Sequence, residues 1–179
     1  MDHTDHINLL RPASLDKGGY WADLGAGSGA FTFALRELIG PTASIYAVDK
    51  DRTSLDSLKN EYRTRFKNDA NLHLQVEDFS RTTNLPLLDG ILAANSLHYF
   101  KDRVKVLQHI KSFLKPTGKL IVIEYNVDSG NPWVPYPFSF GSFGKLALQA
   151  GFSEPQLLAT NPSRFLREFY SALTIKADS

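Results

Sequence analysis

The chain has 179 residues, 42% of them apolar and 22% charged, which is enough to bury the core of one domain spanning 1–179. Its 20 Lys and Arg against 19 Asp and Glu leave a net charge of +1, so there is no basic excess to drive binding to a phosphate backbone, and nucleic acid is disfavoured as a partner. The absence of cysteine excludes disulfides, thiolate metal sites and a cysteine nucleophile and suits a cytoplasmic location, while no apolar run is long enough to span a bilayer.

Residues 1–18 form a short, mixed N-terminal segment without the pattern of a signal peptide. Ile7, Leu9 and Leu10 are spaced for a brief helical turn before Pro12. His3, Asp5 and His6 are donors crowded into one stretch, whereas a metal site wants ligands separated on fixed elements, so a mobile polar terminus and no metal are expected. Tyr20 to Leu24 then reads as a short apolar strand with Asp23 near its carboxyl end. Gly25, Ala26, Gly27 and Gly29 make a turn, and Phe31 to Ile39 has helical apolar spacing. Glycine lets the backbone turn sharply and lets a ligand lie against it. The free N–H groups of the new helix favour a carboxylate or phosphate.

Gly40-Pro41 stops that helix, and Ser44 to Val48 is a second strand running into Asp49-Lys50. Asp49 lies 20 positions beyond Gly29, where a strand-end acid can accept from two adjacent ribose hydroxyls. Thr53 to Phe66 reads as a surface helix and Leu72 to Val76 as a third strand, followed directly by Asp78 and Phe79. Asp89 to Ala94 is a buried fourth strand leading into Asn95-Ser96-Leu97-His98-Tyr99-Phe100. A histidine side chain can accept a substrate proton, and His98 is the candidate for that role. Asp102 to Leu114 is expected as a helix stopped by Lys115-Pro116-Thr117-Gly118, and Lys119 to Tyr125 as the fifth strand. Residues 126–142 are rich in proline and aromatics, and Trp133, Tyr136 and Phe138 are candidates for an apolar wall over the site. Phe143 to Ala150 is a short helix, and Pro155 to Thr160 and Phe169 to Lys176 are two last strands.

Gly25, Gly27 and Ala30 satisfy the permissive dinucleotide fingerprint, which leaves an NAD-dependent oxidoreductase open. The tighter pattern is acid-x-Gly-x-Gly-x-Gly, filled by Asp23, Gly25, Gly27 and Gly29. It resembles the first motif of the class I, Rossmann-like S-adenosylmethionine-dependent methyltransferases, and the resemblance runs in order over about residues 18 to 176. It implies an α/β three-layer sandwich with a seven-stranded, mostly parallel sheet and an antiparallel last strand. It implies S-adenosyl-L-methionine as cofactor, with S-adenosyl-L-homocysteine as product. Gly25, Ala26, Gly27 and Gly29 would then make room for the methionine portion and Asp23 would orient its ammonium. Asp49 and Lys50 would flank the ribose, Asp78 and Phe79 the adenine, and Asn95 the methionine end. The family's N-terminal segment often helps close the active site, and the segment after its fifth strand often recognises substrate. Ser96 and Leu97 depart from the Asn-Pro-Pro-aromatic form of the DNA-amino-methylating enzymes, which disfavours DNA adenine methylation; 179 residues leave little room for an inserted recognition domain, so a small-molecule acceptor, or a partner that completes the pocket, is expected. No Tyr-x-x-x-Lys pair stands where hydride transfer would need it. A non-catalytic adenosyl-ligand-binding protein has the same site pattern and stays open.

Overall fold

The computed structural model describes residues 1–81 and 83–177. Its strands are β1 (Tyr20–Leu24), β2 (Ser44–Asp49), β3 (Leu72–Val76), β4 (Leu88–Ala94), β5 (Leu114–Tyr125), β6 (Gln156–Pro162) and β7 (Glu168–Ile175). They form one sheet in the order β3-β2-β1-β4-β5-β7-β6. β7 runs antiparallel to both its neighbours, β5 and β6, and the pairs from β3 to β5 are parallel. The central strands are buried on both faces, which is why β1 and β4 read as near-continuous apolar runs.

Helices cover both faces. α1 (His3–Leu10), α2 (Ala30–Ile39) and α3 (Arg52–Phe66) lie on one, where Leu9, Leu10, Leu35 and Ile39 pack with Trp21, Ile45 and Leu92. α4 (Arg103–Lys111) and α5 (Phe140–Gln149) lie on the other, where Leu107, Ile110, Phe143 and Ala147 pack with Ala22, Ile91 and Val122. Alternate residues of one strand thus serve two cores, as a period of two requires. The result is the expected three-layer, Rossmann-like sandwich.

The larger departures from the sequence reading fall at three places, and β5 correspondingly begins at Leu114 rather than Lys119. The N-terminal segment is an ordered helix rather than a mobile terminus: Asp2 and Asp5 close a reciprocal capping box, and Leu9 and Leu10 are buried. α4 stops at Lys111, because Leu114 is already strand, paired with Leu88, while Phe113 O accepts from the Leu88 N–H. α5 starts three residues early, at Phe140, because the Ser139 hydroxyl accepts from the Ser142 N–H and caps it.

Gly90 of β4 sits in register with Trp21 of β1. A Cβ there would stand 2.2 Å from Trp21 Cζ3, so the bare backbone makes room for the indole. Gly90→Ala should lower stability in urea unfolding by about 1–3 kcal/mol, the usual cost of overpacking a core; an unchanged midpoint would contradict this packing.

Candidate functional site

The carboxyl ends of β1, β2 and β4 open onto a cavity of about 520 Å³. It is lined by Gly25, Asp49, Lys50, Glu77, Asp78, Phe79, Asn95, Ser96, Tyr99 and Phe100. This is the crevice that open α/β sheets reserve for ligands, at the point where strand order reverses. β1 is that point, since β2 and β4 flank it.

The glycine turn closes on itself through Gly29 N–H to Ala26 O at 2.9 Å and is also tied to β2. Gly25 and Ala26 N–H both donate to Val48 O, at 2.8 and 3.1 Å, and Gly27 N–H donates to Asp49 Oδ2 at 2.8 Å. Asp49 Oδ1 accepts from the Asp51 N–H at 2.9 Å, so the carboxylate is fixed at the cavity wall. Gly27 has φ 51° with nothing within 4 Å of where a Cβ would stand, which leaves open space beside the turn. Gly29 is glycine for another reason: its φ is 95°, and a Cβ would meet Leu58 and Phe33 at 2.6 and 2.7 Å, so it permits α2 to pack on α3. At the third strand, the Ser80 hydroxyl donates to Asp78 Oδ1 and holds that carboxyl below the usual carboxylate range. Phe79 is buried, edge-on to Phe100.

Six of the ten expected cofactor residues therefore line one cavity: Gly25, Asp49, Lys50, Asp78, Phe79 and Asn95. Asp23, Ala26, Gly27 and Gly29 do not line it; they shape the turn or lie beneath it. Asp23 is buried, and its Oδ2 accepts from Thr32 Oγ1 at 2.6 Å. Burial is the main cause that pushes its carboxyl up to about 7, against the Thr32 hydrogen bond, and the Asp49 charge adds to the rise. Four lining residues were not singled out from sequence as contacts: Glu77, Ser96, Tyr99 and Phe100. Glu77, Ser96 and Tyr99 lie directly beside residues that were, and Phe100 lies one position further on, so adjacency was the signal.

His98 needs correction as a cavity residue. Its ring is buried and it is not among the lining residues. Its Nδ1 lies 2.7 Å from Glu124 Oε2, while Leu97 and His98 N–H donate to Glu124 Oε1 at 3.0 and 3.2 Å. Glu124 thus fixes the single 3₁₀ turn Leu97–Tyr99, whose flanks form the cavity wall. The expected wall of Trp133, Tyr136 and Phe138 is also not one surface. Phe138 is in the core beside Phe143, with the Arg103 guanidinium 5.5 Å from its ring. Tyr136 donates its N–H to His98 O, and Trp133 is exposed. His3 pairs with Glu37 and His6 packs tilted against Phe31, and no group of metal-ligating side chains converges among the described residues. The first 18 residues contribute nothing to the cavity lining; α1 packs on α2 and β6. No helix among the described residues is long and apolar enough to cross a membrane.

One feature separates this fold from a dinucleotide-binding one: β7 is inserted antiparallel between β5 and β6, where the dinucleotide sheet is parallel. Comparison with known proteins agrees: the family described as "Methyltransferase domain" matches residues 15–148. The chain belongs to this methyltransferase-domain family. It is 29% identical over 175 residues to an arsenite methyltransferase of Aquipseudomonas alcaligenes, covering 86% of this chain and 49% of that protein. It is 27% identical over 170 residues to a demethylmenaquinone methyltransferase of Lactobacillus johnsonii, covering 88% of this chain and 66% of that protein. The chain thus spans about half to two thirds of the length of these relatives. Human N-acetylserotonin methyltransferase, solved in complex with SAM, superposes with a TM-score of 0.72 at 21% identity, covering 97% of this chain and 52% of that one. That likeness is one of fold.

The Asp23 carboxyl gives a pH test. Its folded value of about 7 stands above the ordinary 3.8, so its neutral form favours the fold. That contribution is complete below about pH 4 and is lost as pH rises to about 7, a change on the order of 4 kcal/mol. Asp23→Asn keeps a neutral acceptor for Thr32 and should lack this fall. Urea unfolding of both proteins from pH 4 to 8 should show the gap opening in favour of the variant; parallel curves would refute the buried-acid account.

Proposed function

We propose that the chain binds S-adenosyl-L-methionine in this cavity and transfers its methyl group to a small organic acceptor. One observation carries the reading: within a methyltransferase-domain fold, the cavity at the strand-order reversal carries buried polar atoms without partners. Glu77 Oε2, Asn95 Oδ1 and Ser96 Oγ belong to lining residues, and Asp23 Oδ1 lies beneath the turn. Buried polar atoms left unpaired cost free energy, so a polar ligand that supplies donors and acceptors fits them.

Asp49 would receive the ribose hydroxyls, and Asp78 with Phe79 the adenine edge and face. Gly25 and the space beside Gly27 would admit the methionine end next to Asn95, with Asp23 favouring its ammonium. When bound, the cofactor supplies a methyl group already activated by its sulfonium. What remains for the protein is to hold an acceptor in line and keep water out. The Leu97–Tyr99 turn does the holding on the acceptor side, and we assign His98 and Glu124 to positioning that turn. The two curated relatives are named for arsenite and for a quinone precursor. A thiophilic acceptor such as arsenite would find no thiolate in these 179 residues, which favours an organic acceptor here. Cytoplasmic location remains part of the same proposal, consistent with the lack of cysteine.

Asp49→Ala should weaken S-adenosylhomocysteine binding by at least ~1 kcal/mol, about fivefold in Kd, since it removes a charged hydrogen-bonding partner. Titration calorimetry reads this directly, and an unchanged affinity would remove Asp49 from the site.

A further inference from the structure

The turn between β6 and β7 carries the run Arg164-Phe165-Leu166-Arg167. Phe165 is 52% exposed, and Trp133, brought beside it by the loop after β5, is 72% exposed. Their ring centroids lie 6.4 Å apart at 82°, and the half-buried Tyr125 continues the cluster 6.0 Å from Phe165. Large rings grouped in water mark a surface that something else covers.

Both exposed rings sit on tied turns. Asn131 Oδ1 accepts from the Trp133 and Val134 N–H groups, both at 2.9 Å. Ser163 Oγ accepts from the Phe165 and Leu166 N–H groups at 3.1 and 3.3 Å, and Ser163 N–H donates to Arg167 O at 2.7 Å. The backbone that presents the rings is already fixed, which lowers the ordering cost of docking.

Charge indicates what covers them. The chain is almost neutral at +1, yet residues 155–167 hold two arginines and no acid. Arg164 and Arg167 are exposed, and neither pairs with a carboxylate among the described residues. The acids on the two segments sit at their base. Glu168 belongs to the last strand pair, with Pro162, and accepts from Asn126 Nδ2 at 2.7 Å; Asp128 accepts from the Ser139 N–H at 2.9 Å. We propose that the Trp133–Phe165 tip is a docking surface for an anionic phospholipid membrane, with Arg164 and Arg167 binding the lipid phosphates. Aromatic rings settle at headgroup depth, arginine stems lie along the apolar layer, and guanidinium forks match phosphate oxygens. A second copy docked through the same tip would instead bring four arginines together. Docking of this kind needs no spanning helix. Phe169 pairs with Tyr125, so the tip stands at the carboxyl end of β5, the end of the sheet that carries the cavity.

The test titrates the full chain with vesicles of phosphatidylcholine containing phosphatidylglycerol, and with phosphatidylcholine alone. Trp133 fluorescence reports docking, the other tryptophan, Trp21, being buried. A saturable blue shift is expected with the anionic vesicles and little or none with phosphatidylcholine. Arg164→Glu should weaken partitioning at least about 5-fold, and Phe165→Ser roughly 3- to 10-fold. Both side chains are exposed, so both variants should keep the parent's urea midpoint, which separates lost docking from lost folding. No blue shift with anionic vesicles overturns the proposal, as does equal binding to both kinds of vesicle or equal partitioning of parent and variants. Concentration-dependent self-association that Phe165→Ser abolishes, without vesicle binding, overturns it in favour of a second copy.

Discussion

The site depends on a carboxylate at the end of β2 that holds the turn at the end of β1. Asp49 Oδ2 accepts from the Gly27 N–H, and Val48 O takes the two preceding N–H groups. Three successive backbone donors of the turn are thereby spent on the neighbouring strand. Without them the turn would carry unpaired donors at a buried chain reversal, at about 1–3 kcal/mol each. With them the turn is rigid, and the space beside Gly27 stays open. The same acid faces the cavity, so one residue both builds the site and presents charge to it.

A second carboxylate does comparable work from below. Glu124 is fully buried and accepts from Leu97 N–H, His98 N–H and the His98 ring. It pins the 3₁₀ turn whose last residue, Tyr99, lines the cavity. Asn95, just before that turn, sits at φ 52°, a left-handed conformation that asparagine tolerates better than most residues. This part of the cavity wall is thus set by backbone geometry and the buried Glu124, and its chemistry by the side chains that flank the turn.

Much of this was legible in the chain. Buried parallel strands read as apolar runs, and the acids Asp23 near the end of β1, Asp49 at the end of β2 and Asp78 after β3 mark the strand ends that meet at the cavity. The errors have local causes. Leu114 fits the helical period of Val104, Leu107 and Ile110, yet strand pairing with Leu88 claims it. The capping box of Asp2 and Asp5 was written in the sequence and outweighs the polar look of the first residues. His98 reads as a catalytic group because of its type, but only tertiary structure shows Glu124, 26 positions away, taking its ring. Phe138 and Trp133 look alike in a proline-rich loop, and only packing against Phe143 sends one into the core.

The central claim is that the cavity at β1, β2 and β4 is a site for an adenosyl sulfonium cofactor. Titration calorimetry of the purified chain with S-adenosylhomocysteine, and with NAD in parallel, tests it most directly. Micromolar binding of S-adenosylhomocysteine with no heat from NAD is the predicted result. Binding of NAD alone would contradict the account and make Gly25, Gly27 and Ala30 a dinucleotide fingerprint.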